Sequence, residues 1–142
     1  MRTSARNHFS GKVTELRQGA VNDEIVLRTD DGVEIVAIIT HGSTTALGLA
    51  VGTAAFALVK ASSVIVMVDA AGHQVSARNR LAGKVSRLSV GAVNAEVVIT
   101  MDGGAEIVAM VTNESAERLG LANGTAATAI FKASSVIVGV DA

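Results

Sequence analysis

Short runs of apolar and β-branched residues cover much of the chain, and turns bearing Gly or Asp separate them. Residues 12–17 and 24–29 are rich in Val, Ile, Leu and Thr, with Gly19 in the turn between them. This pattern predicts two short strands. The run Asp30-Asp31-Gly32 follows, and these residue types tolerate the positive φ of a tight hairpin. The pattern therefore predicts an antiparallel meander.

Three further strands are predicted in the same stretch of chain. One ends at Thr40, and two more cover residues 53–60 and 64–68, with a tight corner at residues 61–63. Five short strands in this order are typical of a small barrel of the oligonucleotide/oligosaccharide-binding (OB) type.

The whole pattern recurs without a gap. The run Ser4-Ala5-Arg6-Asn7 returns as Ser76-Ala77-Arg78-Asn79, which is a displacement of 76 − 4 = 72 residues. The run Lys60-Ala61-Ser62-Ser63 returns as Lys132-Ala133-Ser134-Ser135 at the same displacement. Because no gap is needed, both copies should share every turn length and one backbone. We predict two tandem modules, residues 1–70 and 71–142.

Each copy also contains one short helical stretch. Residues 113–120 predict a helix of about two turns, which Thr112 or Asn113 can cap and Gly120 can end. The first-copy equivalent, residues 41–48, is a weaker helix former, and Thr40 is expected to cap it. The predicted fold class is all-β with a short helix per repeat, in two tandem OB-fold-like β-barrel modules.

Composition limits the core and the partners. The chain is 49% hydrophobic but has 3 Phe and neither Trp nor Tyr. A module of this size with small side chains should be marginally stable alone, so we expect a homo-oligomer. The net charge is −1 and the 12 Lys and Arg are scattered, which argues against a nucleic-acid partner.

The chain carries no sign of membrane insertion or export. No window reaches the roughly 18 apolar residues of a membrane span, and the first residues lack the apolar core of a secretory signal. We therefore expect no membrane partner and a cytoplasmic location.

The parts that catalysis needs are missing. The sequence has no Cys, no Gly-x-Ser-x-Gly elbow, no phosphate loop ending in Gly-Lys-Ser/Thr and no closely spaced His pair. We predict no catalytic residue, no catalytic cofactor and no direct metal ligand. His8, His41 and His73 are expected to be solvated surface residues. The carboxylates common to both copies, Glu24/Glu96 and Glu34/Glu106, are expected on the surface or on edge strands.

The polar residues common to both copies are mostly hydrogen-bond donors. With partners 72 residues further on, they are Ser4, Arg6, Asn7, Asn22, Thr40, Ser43, Lys60, Ser62 and Ser63. A role in stabilising a turn explains Asn22 and Ser63 equally well. In the Ser-Ala-Arg-Asn and Lys-Ala-Ser segments, small residues beside a cation leave backbone N–H groups open to form an anion-binding concavity. These segments predict an oxyanion site.

The donors also restrict the ligand. Phosphate near neutral pH keeps a proton that needs an acceptor, whereas molybdate, tungstate and sulfate are fully deprotonated dianions. Surroundings made only of donors favour the deprotonated dianions. Charge-assisted hydrogen bonds contribute about 1.5–3 kcal/mol each, so a few of them suffice for binding.

Five ordered motifs, most of them present in both copies, carry a resemblance to a known family. They are Ser-Ala-Arg-Asn, Gly-Lys-Val, Gly-Ala-Val-Asn, Thr-Asn-Glu-Ser and Lys-Ala-Ser-Ser-Val-Ile-Val. The chain resembles the molybdate-binding molbindin (Mop/TOBE-domain) family in its tandem, two-domain form. The resemblance implies OB-like barrels, a trimer of the tandem chain, and intracellular binding of molybdate, possibly tungstate, for molybdenum storage and homeostasis.

The resemblance also implies two kinds of oxyanion site. Sites between modules would use one segment of each type, and their residues are Ser4, Ala5, Arg6, Asn7, Lys60, Ala61, Ser62, Ser76, Ala77, Arg78, Asn79, Lys132, Ala133 and Ser134. Sites on the threefold axis would use Val21, Asn22, Ser43, Val93, Asn94 and Ser115. Near the axial residues, His41-Gly42 replaces Asn113-Glu114 and Asp23 replaces Ala95, so the two axial sites need not be equivalent. A carboxylate near an anion weakens its binding.

Three rival interpretations stay open. An OB-type nucleic-acid-binding protein would stack bases on aromatic residues in a basic groove, which this composition disfavours. A regulatory or accessory molybdate-sensing module would have to act through a protein partner, because the chain has neither a DNA-reading helix pair nor a phosphate loop. A purely structural oligomer would bind no anion at all.

Overall fold

The computed structural model describes residues 1–141 and divides into two compact units. Unit 1 comprises Met1–Val59 and the segment from Lys132 onward, and unit 2 comprises Lys60–Phe131. The sequence copies, with their junction near residue 70, therefore do not coincide with the compact units. The last segment of each copy belongs to the unit formed by most of the other copy.

Unit 1 is built on a five-stranded antiparallel sheet. Its strands, in the order β10-β4-β1-β2-β3, are β10 Ile137–Gly139, β4 Ala54–Val59, β1 Asn7–Gln18, β2 Asn22–Thr29 and β3 Glu34–Thr40. Helix α1, His41–Leu47, follows β3, and a single 3-10 turn, Ala133–Ser135, precedes β10.

Unit 2 repeats this arrangement. Its strands, in the order β5-β9-β6-β7-β8, are β5 Ile65–Met67, β9 Ala126–Phe131, β6 Asn79–Val90, β7 Asn94–Thr100 and β8 Glu106–Thr112. Helix α2, Asn113–Arg118, follows β8, and the 3-10 turn Ala61–Ser63 precedes β5. The predicted corners at residues 61–63 and 133–135 are therefore 3-10 turns.

Apolar side chains at alternate strand positions build the core of each unit, and β2 and β7 each bury three consecutive side chains. In unit 1, Val13, Ile25, Leu27 and Ile35 are almost fully buried, and their positions follow the two-residue period of a strand. The 3-10 turn before β10 packs against β3, at the opposite edge of the same sheet. The sheet thus curls until its edges approach, and the predicted class of small all-β, OB-like modules is confirmed.

The first strand is longer than the pattern predicts, since β1 begins at Asn7 rather than at residue 12. Residues 7–12 pair with β4, which lies far away in sequence, so no local signal marks them. Gly11 allows the close approach to β2 here, because a Cβ on Gly11 would lie 2.1 Å from the carbonyl oxygen of Arg28. Gly83 has the same role in unit 2, where a Cβ would lie 2.3 Å from the oxygen of Thr100.

Both helices begin as their sequences predict, and α1 ends at the expected glycine, whereas α2 ends at Arg118, with Leu119 as its C-cap before Gly120. Thr40 caps α1 and Thr112 caps α2, each accepting a hydrogen bond of 3.1 Å from the backbone N–H three residues later. Gly48 and Gly120 follow with φ values of 64° and 65°, the left-handed conformation that ends helices. Helix α1 forms despite its weaker sequence. Neither of the helices within residues 1–141 is long and apolar enough to cross a membrane.

Candidate functional site

The turn between β1 and β2 meets the start of α1 and forms the first-copy corner, defined by Val21, Asn22 and Ser43. Asn22 lies opposite Thr40 in the β2–β3 register, and the backbone N–H of His41 donates to the carbonyl oxygen of Val21 at 3.0 Å. The Thr40 and Ser43 hydroxyl oxygens lie 2.8 Å apart. The structure therefore brings these three predicted residues together, and all three are exposed.

The second-copy corner, defined by Val93, Asn94 and Ser115, has the same backbone. Asn94 lies opposite Thr112, and the backbone N–H of Asn113 donates to the carbonyl oxygen of Val93 at 2.9 Å. The Thr112 hydroxyl donates to the Ser115 hydroxyl at 2.8 Å. Val93 and Asn94 are exposed and Ser115 is half-buried.

The polar group beneath the first-copy corner is Asp23. Its side chain is fully buried, and the carboxylate accepts hydrogen bonds from His41 Nδ1 at 2.9 Å and from the Gly19 backbone N–H at 3.3 Å. The Thr44 hydroxyl, which donates to the Thr40 carbonyl oxygen at 3.4 Å, also lies beside this carboxylate. Burial alone would raise the pKa of Asp23, but these hydrogen bonds and the attraction to His41 outweigh it and hold that pKa below the ordinary value of 3.8. Asp23 is therefore a carboxylate at neutral pH.

The equivalent space in the second copy contains no carboxylate. Ala95 stands where the first copy has Asp23, and Ala116 stands where it has Thr44. The Asn113 amide nitrogen donates to the Gly91 carbonyl oxygen at 2.9 Å. The Asn113 side-chain oxygen is buried and has no hydrogen-bond partner within residues 1–141.

Sequence reasoning missed the pairing of Asp23 with His41. Taken singly, His41 looks like a surface residue, and its side chain is indeed 50% exposed. The available signal was the coincidence of differences between the copies, because Asp23, His41 and Thr44 all change together to Ala95, Asn113 and Ala116. Three residues that differ together between the copies in this way indicate that their side chains contact one another.

The Ser-Ala-Arg-Asn segments lead into the first strand of each unit. Ser4, Arg6, Ser76 and Arg78 are exposed, whereas Asn7 and Asn79 are 3% and 1% exposed. The Asn7 side-chain amide donates to the Val59 carbonyl oxygen at 3.2 Å, so it stabilises the pairing of β1 with β4. The exposed donors of these segments are therefore Ser4 and Arg6 with their second-copy equivalents.

The Lys-Ala-Ser segments form the starts of the 3-10 turns. Within each turn, the first backbone N–H that donates is that of the second Ser. The Ser63 N–H donates to the Lys60 carbonyl oxygen at 3.0 Å, and the Ser135 N–H donates to the Lys132 carbonyl oxygen at 2.9 Å. The backbone N–H groups of the preceding Ala and Ser are not used within the turn. Ala61 and Ala133 are buried, whereas Ser62 and Ser134 are exposed.

Because the last segment of each copy belongs to the unit formed by most of the other copy, each unit combines segments from both copies. Unit 1 contains the Ser-Ala-Arg-Asn segment of the first copy and the Lys-Ala-Ser segment of the second copy, and unit 2 contains the reverse combination. Each unit thus carries one segment of each type, drawn from different copies.

The groups available in these segments and corners are hydroxyls, amides, backbone N–H groups and cations. Such groups suit a ligand that accepts hydrogen bonds and carries negative charge. Within residues 1–141, no group of three or more His, Asp or Glu residues could hold a metal ion.

Comparison with known proteins shows the family. The TOBE domain profile matches residues 3–66 and again residues 75–138. The chain is 43% identical over 141 residues to the molybdenum transport protein ModE of Herbaspirillum seropedicae, covering 99% of the chain and 52% of that protein. It is 45% identical over 138 residues to the molybdenum-pterin-binding protein MopA of Rhodobacter capsulatus, covering 97% of the chain and 52% of that protein.

A solved structure matches the full length of the chain. The cytoplasmic molybdate-binding protein ModG, crystallised with molybdate bound, has a TM-score of 0.95 at 46% identity, over 99% of this chain and 100% of ModG. The chain spans about half the length of the ModE and MopA relatives. Two TOBE profile matches in tandem and these relatives confirm the resemblance on which the sequence analysis drew: the chain belongs to the TOBE domain family, in a two-domain form.

Proposed function

We propose that this protein binds molybdate inside the cell, for molybdenum storage and homeostasis, and catalyses no reaction. The full-length similarity to ModG, a molybdate-binding protein of the same two-domain form, carries this proposal. Tungstate has nearly the same size and charge as molybdate and is an alternative ligand. The location that we propose is the cytoplasm.

The donors that we propose for the main sites lie in the Ser-Ala-Arg-Asn and Lys-Ala-Ser segments. Exposed Ser and Arg side chains and the unused N–H groups of the 3-10 turns can surround a tetrahedral dianion with donors. Ser62 and Ser134 stand at the centre of this proposal because each is exposed at the start of such a turn. Further anions would bind at the two corners, near Asn22 and Asn94.

We propose that the protein works as a homotrimer and has no nucleic-acid or membrane partner. Apolar side chains are exposed at equivalent positions of both copies, with Val21 71% and Val93 70% exposed, and Ile65 60% and Ile137 59% exposed. Exposed apolar residues that recur in both copies support burial between subunits. Analytical ultracentrifugation should give a mass of three chains of 14.4 kDa each, and a monomer would contradict the proposal.

Two substitutions test the main sites. Ser62→Asp combined with Ser134→Asp places fixed negative charge where the anion is expected, while the exposed positions should leave folding and assembly intact. Calorimetric titration with molybdate should show a loss of affinity of at least about a hundredfold, from repulsion and lost hydrogen bonds.

The matched control adds the same two charges elsewhere. Ser10→Asp with Ala82→Asp changes equivalent exposed positions on β1 and β6, outside the proposed segments, and should leave molybdate affinity within about twofold. Equal affinity in both double variants would show that the wrong segments have been assigned. Absence of molybdate binding by the unmodified protein would overturn the function itself.

A further inference from the structure

Two hydrogen bonds beside the first-copy corner converge on one buried side chain. The Asp23 carboxylate accepts from the Gly19 N–H in the β1–β2 turn and from His41 on α1, and Thr44 of α1 lies beside it. It therefore joins the two elements that carry Val21, Asn22 and Ser43. An anion bound from solution by these elements would lie close to the buried carboxylate.

The second-copy corner has no such internal anion. The Gly91 N–H donates to the Asn94 carbonyl oxygen at 2.8 Å, as the Gly19 N–H does to the Asn22 carbonyl oxygen at 2.9 Å, but Ala95 and Ala116 supply no polar side chain. Asn113 contributes an amide in place of the imidazole. The two corners thus share a backbone but differ by one fixed carboxylate and by the His41 and Thr44 side chains around it.

The position of Asp23 lets its charge act on an anion bound at the first-copy corner. Asp23 directly follows Asn22, and both line one surface pocket of about 410 Å³. Because the Asp23 side chain is buried, water and salt screen its charge less than they would at an exposed site.

Other charges near the corners do not reverse this difference. Arg17 lines the same pocket, but it lies directly opposite Glu24 in the β1–β2 register. The second-copy corner has a carboxylate of its own, Glu114, in the first turn of α2. Glu114 is exposed, so its side chain can turn toward water and its charge is screened.

Resting on the oxyanion binding proposed above, we propose that Asp23 is a specificity-determining residue that acts as a built-in anion. Its buried negative charge repels a dianion that binds at the first-copy corner. Oxyanion binding is consequently weaker at the first-copy corner than at the second-copy corner, and the two axial sites are functionally distinct.

The test removes the carboxylate from one corner and adds it to the other. All variants carry Ser62→Asp and Ser134→Asp, so that binding at the Lys-Ala-Ser segments is suppressed and calorimetry with molybdate reports the corners. Asp23→Ala reproduces the second-copy residue and should strengthen binding at the first-copy corner by about tenfold or more. Asp23→Asn removes the charge with little change in shape and provides the same test if the alanine variant folds poorly.

The reciprocal variant combines Ala95→Asp, Asn113→His and Ala116→Thr. It transfers the whole cluster and should weaken binding at the second-copy corner by about tenfold or more. Glu114→Gln is the control for an exposed charge and should change affinity by less than about threefold.

The outcomes separate this inference from the function on which it rests. Opposite shifts in the Asp23 and Ala95 variants support the built-in anion. Molybdate binding by the unmodified protein, with both corners unchanged in all charge variants, would overturn the role of Asp23 and leave the proposed function standing. No molybdate binding by the unmodified protein would overturn both.

Discussion

The two corners differ in their side chains, although the strands around them pair in nearly the same way. The β1–β2 and β6–β7 registers each shift at the same point, between Val13 and Glu15 in unit 1 and between Val85 and Arg87 in unit 2. Beneath the first-copy corner, however, lies a buried carboxylate with an imidazole and a threonine beside it, whereas the second-copy corner has two alanines and an amide. The glycines, the helix caps and the buried strand positions thus give both copies the same backbone, while the side chains beneath the two corners differ.

Removing residues 137–142 should produce the largest effect and tests how the units are composed. This truncation deletes β10 and the buried Val138 and leaves the edge of β4 unpaired. Unit 1 should lose on the order of 4 kcal/mol of unfolding free energy from lost burial and strand pairing. Hydrogen exchange of the truncated protein, read by mass spectrometry, should show faster exchange in β1 and β4.

The matched change in the first copy is Val66→Ala on β5. Val66 is 7% exposed and pairs with β9 of unit 2. Its truncation should therefore lower the unfolding free energy of unit 2 by about 2 kcal/mol and speed hydrogen exchange in β6 and β9. If each change instead destabilises the unit that contains most of its own sequence copy, the exchange of end strands is contradicted.

Gly11→Ala and Gly83→Ala test whether the two backbones are equivalent. A Cβ at either position would collide with a backbone carbonyl oxygen of the neighbouring strand, and we expect a loss of about 2–3 kcal/mol in each unit. Urea unfolding should give losses of unfolding free energy that agree between the two variants within about 0.5 kcal/mol.

Gly42→Ala is the control for these glycines. A Cβ on Gly42 would meet nothing within 4 Å, and alanine favours helix α1, so this change should stabilise unit 1 by about 0.5–1 kcal/mol. A large difference between the Gly11 and Gly83 variants would show that the units are not equivalent in backbone.

Acid should remove the contribution of Asp23 and make the units more alike. Because the folded-state pKa of Asp23 is lowered, its contribution to stability is complete above the ordinary value of 3.8 and is lost as pH falls through the lower folded-state pKa. At neutral pH, unit 1 should unfold at lower urea in Asp23→Asn than in the unmodified protein. The gap between the two proteins should close as the solution is acidified below pH 3.8, and a gap that widens would contradict the carboxylate role.

Ala116→Thr should have a small stabilising effect. The change supplies a hydroxyl near the unpartnered Asn113 oxygen, at the position where the first copy has Thr44. A new hydrogen bond to a buried acceptor should stabilise unit 2 by about 1 kcal/mol, and thermal unfolding measures it. The converse change, Thr44→Ala, should destabilise unit 1, and a loss of stability in both variants would mean that the second corner has no room for the hydroxyl.

Local features of the fold could be predicted from the sequence. Runs rich in Val, Ile, Leu and Thr predicted the strands, and Thr40, Thr112 and the glycines after the helices predicted the approximate limits of the helices. The exchange of β5 and β10 could not be predicted, because Val66 and Val138 lie opposite Ala129 and Ala57, which are themselves equivalent residues of the two copies. Pairing within a copy and pairing across copies therefore place the same side chains in contact.

The candidate site was predictable only in part. The corner residues were found because Val21, Asn22 and Ser43 recur together with the turn and the cap that position them. The burial of Asn7 was not foreseen, since its amide bonds to a backbone oxygen of Val59 and backbone acceptors leave no trace in a sequence. The Asp23–His41 contact joins two elements 18 residues apart and needed coordinates to be seen.

Crystals of the protein grown with molybdate, measured at the molybdenum absorption edge, test the central claim most directly. The account predicts anomalous peaks within hydrogen-bond distance of the Ser62 and Ser134 segments, and a stronger peak at the second-copy corner than at the first. Full-length protein that shows no molybdenum at any of these places, under conditions in which molybdate is in excess, would contradict it.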